Sequence, residues 1–164
     1  MYREGAVEIL EYQREGFVVS TDPGRINLDI VHGYLARSYW SKGIPLEMVK
    51  KGVQHSLCFG VYEETGEQVG FARVISDYAT YAYMADVFVL EPHRGQGLSK
   101  WLMECILAHA ELQTVRTFFL ATRDAHGLYE QFGFRPVEEP ARYMVRRNPA
   151  VFRDGEYVVM TTID

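Results

Sequence analysis

The chain has 164 residues and a mass of 18.9 kDa, which suits one domain with its own apolar core and is short for two. Its 17 basic and 22 acidic residues leave a net charge of −5, which argues against the concentrated basic face of a general nucleic-acid binder. No apolar run approaches the ~20 residues of a bilayer span, and no basic-then-apolar leader opens the chain, so a cytoplasmic protein without a membrane partner is expected.

Both ends resemble additions to a central body of residues 17–147. The first end, residues 1–16, carries Val7–Tyr12, and the last, residues 148–164, carries Tyr157–Ile163. Both are rich in strand-favouring side chains and are expected to join a sheet edge or an interface, a homodimer included. Within the body, Phe17–Ser20 is a short strand stopped by Asp22-Pro-Gly. Ile26, Ile30, Val31, Tyr34 and Leu35 then form one apolar helical stripe. Gly43 breaks it, and Pro45 opens a second helix with Leu46, Val49 and Val53 inward.

Leu57–Tyr62 and Val69–Ile75 are strand-like runs, and the Glu63–Glu67 segment between them holds the glycine of a hairpin loop. Tyr83–Leu90 is a third strand, and strict alternation would put Met84, Asp86, Phe88 and Leu90 on one face. Leu98, Trp101, Leu102, Cys105, Ile106 and His109 recur at helical spacing. Val115–Thr122 is expected as a strand, Asp124–Phe132 as a short helix, and Phe134–Val137 and Tyr143–Arg146 as further strands. A mixed α/β sheet follows, mostly antiparallel and flanked by about four helices. Cys58 and Cys105, each in an apolar stretch, are expected as reduced buried thiols, and nothing has the spacing of a metal site.

The most informative stretch runs from Val87 to Ser99, where a β-branched strand enters a glycine-containing loop that opens onto a helix. The first N–H groups of a helix have no intrahelical partner and carry partial positive charge, so they suit a phosphate or diphosphate. Glycine allows close backbone approach, and Arg94 adds a full charge. The spacing is not that of a P-loop. It also fails the dinucleotide fingerprint, because Lys100 stands where the third glycine belongs. A strand–turn–helix without a ligand has the same local pattern.

Arg94-Gly-Gln-Gly97-Leu-Ser99, followed later by Gly127-Leu-Tyr-Glu-Gln-Phe-Gly-Phe134, resembles the two signature motifs of the GNAT superfamily of N-acetyltransferases. Ser99 departs from the family's usual Gly or Ala and remains small. The resemblance implies the GNAT fold and acetyl-CoA as cosubstrate, without a metal. It places the coenzyme against Val87, Phe88 and Val89 of the strand, against Arg94, Gly95, Gln96, Gly97, Leu98 and Ser99 of the loop, and against Arg123 and Tyr129. The N–H near Val89 would face the thioester carbonyl, in a slot made where the 115–122 strand splays away.

Tyr129 stands where the family often has its proton donor, and a packed tyrosine that only bonds the coenzyme sulfur is the alternative. Asp86, a carboxylate in an apolar run, would relay a proton or hold a cationic substrate, or else pair with Arg73 or a tyrosine hydroxyl. His93 and His126 would touch the coenzyme phosphates or simply pack. Tyr39, Trp40, Asp77, Tyr78 and Tyr81 are the candidates for an aromatic, acidic acceptor site, set against the plain reading of half-buried sheet tyrosines. The expected acceptor is a primary amine on a small molecule or a protein. A coenzyme-binding module without turnover is the other class of function the same motifs allow.

Overall fold

The structure, a computed structural model, describes residues 8–158. The chain divides into two compact units, one of residues 1–27 and 53–120, the other of residues 28–52 and 121–164.

The first unit is built on a six-stranded sheet with strands in chain order: β1 (Glu11–Arg14), β2 (Phe17–Ser20), β3 (Leu57–Glu63), β4 (Gln68–Ser76), β5 (Tyr81–Val89) and β6 (Thr117–Phe119). Neighbours are antiparallel except β5 and β6, which run parallel, so the mixed and mostly antiparallel sheet expected from the sequence is present. The N-terminal segment joins the edge as β1, displaced from the expected Val7–Tyr12: Glu8–Leu10 lie before the strand and Val7 lies outside the described residues. The 16/17 boundary falls in the tight β1–β2 turn, where Glu15 and Gly16 both have positive φ.

β3 is buried from Leu57 to Tyr62, and a continuous apolar run is what a strand covered on both faces requires. The helix α1 (Leu28–Leu35) belongs to the second unit, and α2 (Leu46–Gln54) runs from the second into the first. In the first unit, α3 (Leu98–Ala108) buries Leu98, Trp101, Leu102, Met103, Cys105 and Ile106, with His109 just beyond. This is the stripe predicted from spacing, and it packs on β3 and β5. Cys58 and Cys105 are both free and buried, and burial pushes both thiols up to about 12.

Gly60 is required by its neighbour two residues on. Positions i and i+2 share a strand face, and the Tyr62 ring lies where a Gly60 side chain would be. Tyr62 is 1% exposed, with the Arg25 guanidinium 4.1 Å from its ring centroid. Gly60→Ala is therefore expected to cost about 1–3 kcal/mol through overpacking. Urea denaturation should show that loss largely recovered in Gly60→Ala/Tyr62→Leu, and wild-type stability of Gly60→Ala alone would refute the account.

The second unit holds α1, most of α2, α4 (His126–Glu130) and a two-residue hairpin of β7 (Phe152–Arg153) and β8 (Glu156–Tyr157). Val31 and Leu35 of α1 and Val49 of α2 are its buried apolar positions from the predicted stripes. The hairpin is tied to the 42–43 turn: Tyr157 N–H donates to Lys42 O, and Lys42 pairs with Glu156. Of the predicted C-terminal strand, Tyr157 ends β8 and residues 159–163 lie outside the described residues.

Three expected strands need correction. Val115–Thr122 contributes only Thr117–Phe119, because β6 is laddered to β5 solely through Tyr81–Tyr83. Phe134–Val137 and Tyr143–Arg146 form no strand among the described residues. Pro136 brings no N–H to a ladder, and Met144 and Val145 stand 98% and 78% exposed. Strand-forming composition makes a strand only where a partner edge is offered.

Candidate functional site

In the first unit, the candidate residues cluster at the end of β5. Phe71 of β4 pairs with Phe88 and Arg73 with Ala85, so Ala72 alone faces both Asp86 and Val87. This is a β-bulge, with Asp86 at φ +56°. It breaks the strict alternation expected along the strand, because the extra residue resets which face follows. Phe88 and Val89 are both buried.

Asp86 Oδ2 accepts from Arg73 Nε at 2.5 Å, and Arg73 Nη1 donates to Ser56 Oγ at 3.2 Å. The Asp86 side chain is 7% exposed. The ion pair is one of the two arrangements that the sequence left open for this carboxylate.

Beyond the bulge, Leu90 N–H donates to Val69 O at 2.8 Å, across the β4 edge. Successive N–H groups of a strand point to opposite edges, so the N–H of Val89 points away from β4. β6 pairs with β5 only as far as Tyr83, so among the described residues that edge carries no ladder near Val89. Val89 O, on the same side, accepts from Arg94 Nε at 3.0 Å. Arg94 thus binds the loop back to the strand end.

A 3₁₀ turn at Glu91–His93 follows, and Arg94 N–H donates to Glu91 O. The run of available donors therefore begins one residue later than expected. From Gly95 to Lys100 no N–H meets a backbone acceptor among the described residues, and the first bond closing α3 is Trp101 N–H to Gly97 O. Gly95 and Gly97 have φ of +79° and +76°, with open space where a side chain would be. Both positions therefore need glycine for conformation and leave the backbone open to a ligand. His93 packs edge-on to Phe17 and lies 3.4 Å from the Glu63 carboxylate, whereas His126 opens α4 in the other unit.

The β4–β5 turn and the first residue of β5 hold three of the acceptor candidates, Asp77, Tyr78 and Tyr81. Asp77 Oδ1 accepts from the N–H groups of Ala79, Thr80 and Tyr81, and its Oδ2 accepts from Thr80 Oγ1. The Thr80 hydroxyl, then those backbone donors, hold its carboxyl well below the usual range. Its lone pairs thus serve the turn. Tyr78 has φ +60°, and Tyr81, with Tyr83, stacks on Phe119.

The second unit brings together Tyr39, Trp40, Arg123, Asp124 and Tyr129. Arg123, expected among the coenzyme contacts, lies with its guanidinium carbon 3.8 Å from the Tyr39 ring centroid. Its backbone N–H donates to the Tyr39 hydroxyl at 3.1 Å. That hydroxyl donates to Asp124 Oδ1 at 3.4 Å. Trp40 meets Tyr39 edge-on at 5.0 Å. Tyr129, on α4, is 9% exposed, with Phe134 edge-on at 6.0 Å. Burial first, then the charges of Tyr39 and Asp124, push its phenol up to about 12.

Residues 54–136 match the acetyltransferase (GNAT) domain family. A GNAT-family acetyltransferase structure from Xanthomonas campestris pv. campestris is 49% identical, covers 84% of this chain and 96% of its own, and superposes with a TM-score of 0.79. The chain belongs to the GNAT acetyltransferase family. Two curated relatives agree: a Gibberella zeae protein named as an acetyltransferase is 28% identical over 58% of this chain, and a Gracilaria tenuistipitata var. liui protein named as an N-acetyltransferase is 32% identical over 55%. The chain spans 64% and 52% of the lengths of these two proteins.

The GNAT motifs thus fall on the loop entering α3 and on α4, the stretches that carried the resemblance. Sequence reasoning missed Asp124. It opens the predicted helix Asp124–Phe132, where an acidic residue is ordinary helix-start chemistry, and its link to Tyr39 spans 85 positions.

Proposed function

We propose that the protein transfers the acetyl group of acetyl-CoA to a primary amine by direct attack within a ternary complex. The observation that carries this reading is the run of N–H donors from Gly95 to Lys100, opened by two left-handed glycines at the N-terminus of α3. Such a turn matches the charge and size of a diphosphate. In this reading Gly95, Gln96, Gly97, Leu98 and Ser99 hold the diphosphate of coenzyme A, while the pantetheine arm follows β5 from Phe88 to Val87. The outward N–H of Val89 receives the oxygen of the thioester carbonyl as the amine attacks. A donor aimed at the developing negative charge typically contributes ~2.7–4 kcal/mol to catalysis.

Collapse of that adduct breaks the carbon–sulfur bond. The coenzyme leaves as a thiolate, and the phenol of Tyr129 supplies its proton. The acceptor must present an unprotonated nitrogen; the proton that nitrogen sheds as the amide forms passes to water, and the Tyr129 phenolate regains a proton from water, which closes the cycle. Asp86 acts by position in this scheme: paired with Arg73, it holds the bulge that turns Val89 outward.

The test begins with coenzyme A and calorimetry. Gly97→Val places a side chain on a left-handed residue and into the space before the donors, and should weaken binding by about tenfold or more. Absence of binding by the folded wild-type protein would end the proposal. Thiol release from acetyl-CoA against a panel of primary amines then separates transfer from a module that only binds the coenzyme.

A further inference from the structure

The cluster of Tyr39, Arg123 and Asp124 has chemistry that the transfer step does not use. An aromatic face beside a carboxylate recognises organic cations, the ring through its quadrupole and the carboxylate through charge. Both parts are present in the second unit, and the cation over the ring is the chain's own Arg123, at 3.8 Å from the centroid. Its Nη2 is 3.8 Å from Asp124 Oδ2, which is an ion-pair distance rather than a hydrogen bond. The Arg123 and Asp124 side chains are 67% and 62% exposed. So weak and solvated a hold lets a soluble cation exchange with the guanidinium. The platform itself is better fixed: the Tyr39 hydroxyl accepts from Arg123 N–H and donates to Asp124, while Trp40 braces the ring edge-on. The same short segment leads into α4, which carries Tyr129.

We infer that the Tyr39 ring and the Asp124 carboxylate form a cation subsite for the acceptor, occupied at rest by Arg123. The incoming group is a guanidinium or ammonium remote from the nitrogen to be acetylated, so the acceptor class is a diamine or an aminoalkyl guanidine. This identification of the acceptor rests on the acetyl-transfer reading. The opposite use of the same residues, Arg123 clamping an acceptor carboxylate, predicts the opposite sign for one substitution.

The experiment titrates the full-length chain with 4-aminobutylguanidine in the absence of any acetyl donor. Binding is read from tryptophan fluorescence, with Trp40→Phe identifying the reporting ring. Arg123→Ala removes the internal competitor and should tighten the probe about three- to fivefold, whereas Tyr39→Leu and Asp124→Asn should weaken it by a similar factor. Tyr39→Phe keeps the ring and should retain binding, which guards against a folding defect in Tyr39→Leu. Weaker binding in Arg123→Ala would overturn the inference. So would capture of 5-aminopentanoate, the carboxylate counterpart, in an Arg123-dependent manner. Probe binding with no thiol release from acetyl-CoA would leave the cation subsite standing and remove the transfer reading. Thiol release with butylamine, without any advantage for the guanidine, would do the reverse.

Discussion

Replacing Tyr129 with phenylalanine is expected to lower kcat for acetyl transfer by about 100-fold or more while leaving the affinity for acetyl-CoA unchanged. The substitution removes one oxygen and keeps the ring, so the edge contact with Phe134 survives. The phenol is buried, and its pKa is raised from the ordinary 10 to about 12 by desolvation, with Tyr39 and Asp124 adding to the rise. A raised value means the proton stays on the oxygen throughout the neutral and mildly alkaline range, leaving only as pH climbs through about 12. A group meant to hand a proton to a departing thiolate needs that protonated form, and the thiolate's own basicity rises in the same desolvated setting. Tyr129 should therefore impose no alkaline limb on the rate below about pH 11. If the hydroxyl serves only to orient the sulfur, kcat will fall by no more than about tenfold with KM rising. That result would remove the donor role.

Arg73→Met is expected to destabilise the protein by about 3–5 kcal/mol, because it removes the guanidinium that pairs with the buried Asp86 carboxylate. Asp86 is already under conformational load at φ +56°, a region non-glycine residues enter at a cost of about 1–2 kcal/mol. The pair with Arg73 compensates for both the charge and the turn. Asp86→Asn in the Arg73→Met background should restore most of the loss, since asparagine tolerates the left-handed region and carries no charge. Chemical denaturation at neutral pH checks both steps, and a loss below about 1 kcal/mol for Arg73→Met would show that the pair is not structural. The single variant Asp86→Asn separates position from chemistry. Retained turnover together with reduced stability fits a positioning carboxylate, whereas intact stability with kcat down about 100-fold would make Asp86 a base.

The helix α3 was legible because its stripe, Leu98 to His109, is written in neighbours three and four apart, and burial of one face follows from that spacing alone. The anion-binding turn was legible for the same reason: two glycines next to a helix start declare both the backbone freedom and the orphan donors. Residues 134–137 and 143–146 have strand composition yet form no strand among the described residues, because β composition is satisfied only by a partner, and no local pattern says whether one arrives.

The bulge at Asp86 escaped for a related reason. It is set by the register of β4 against β5, and the residue that compensates it, Arg73, is 13 positions away. Gly60 owes its identity to a ring that folds back over it, and Tyr39 meets Arg123 and Asp124 only after more than 80 residues of chain have closed. Periodicity and turn chemistry are short-range and survive in a linear text. Ion pairs, bulges and aromatic platforms arise when segments distant in the chain are brought side by side, so only the folded chain could decide them.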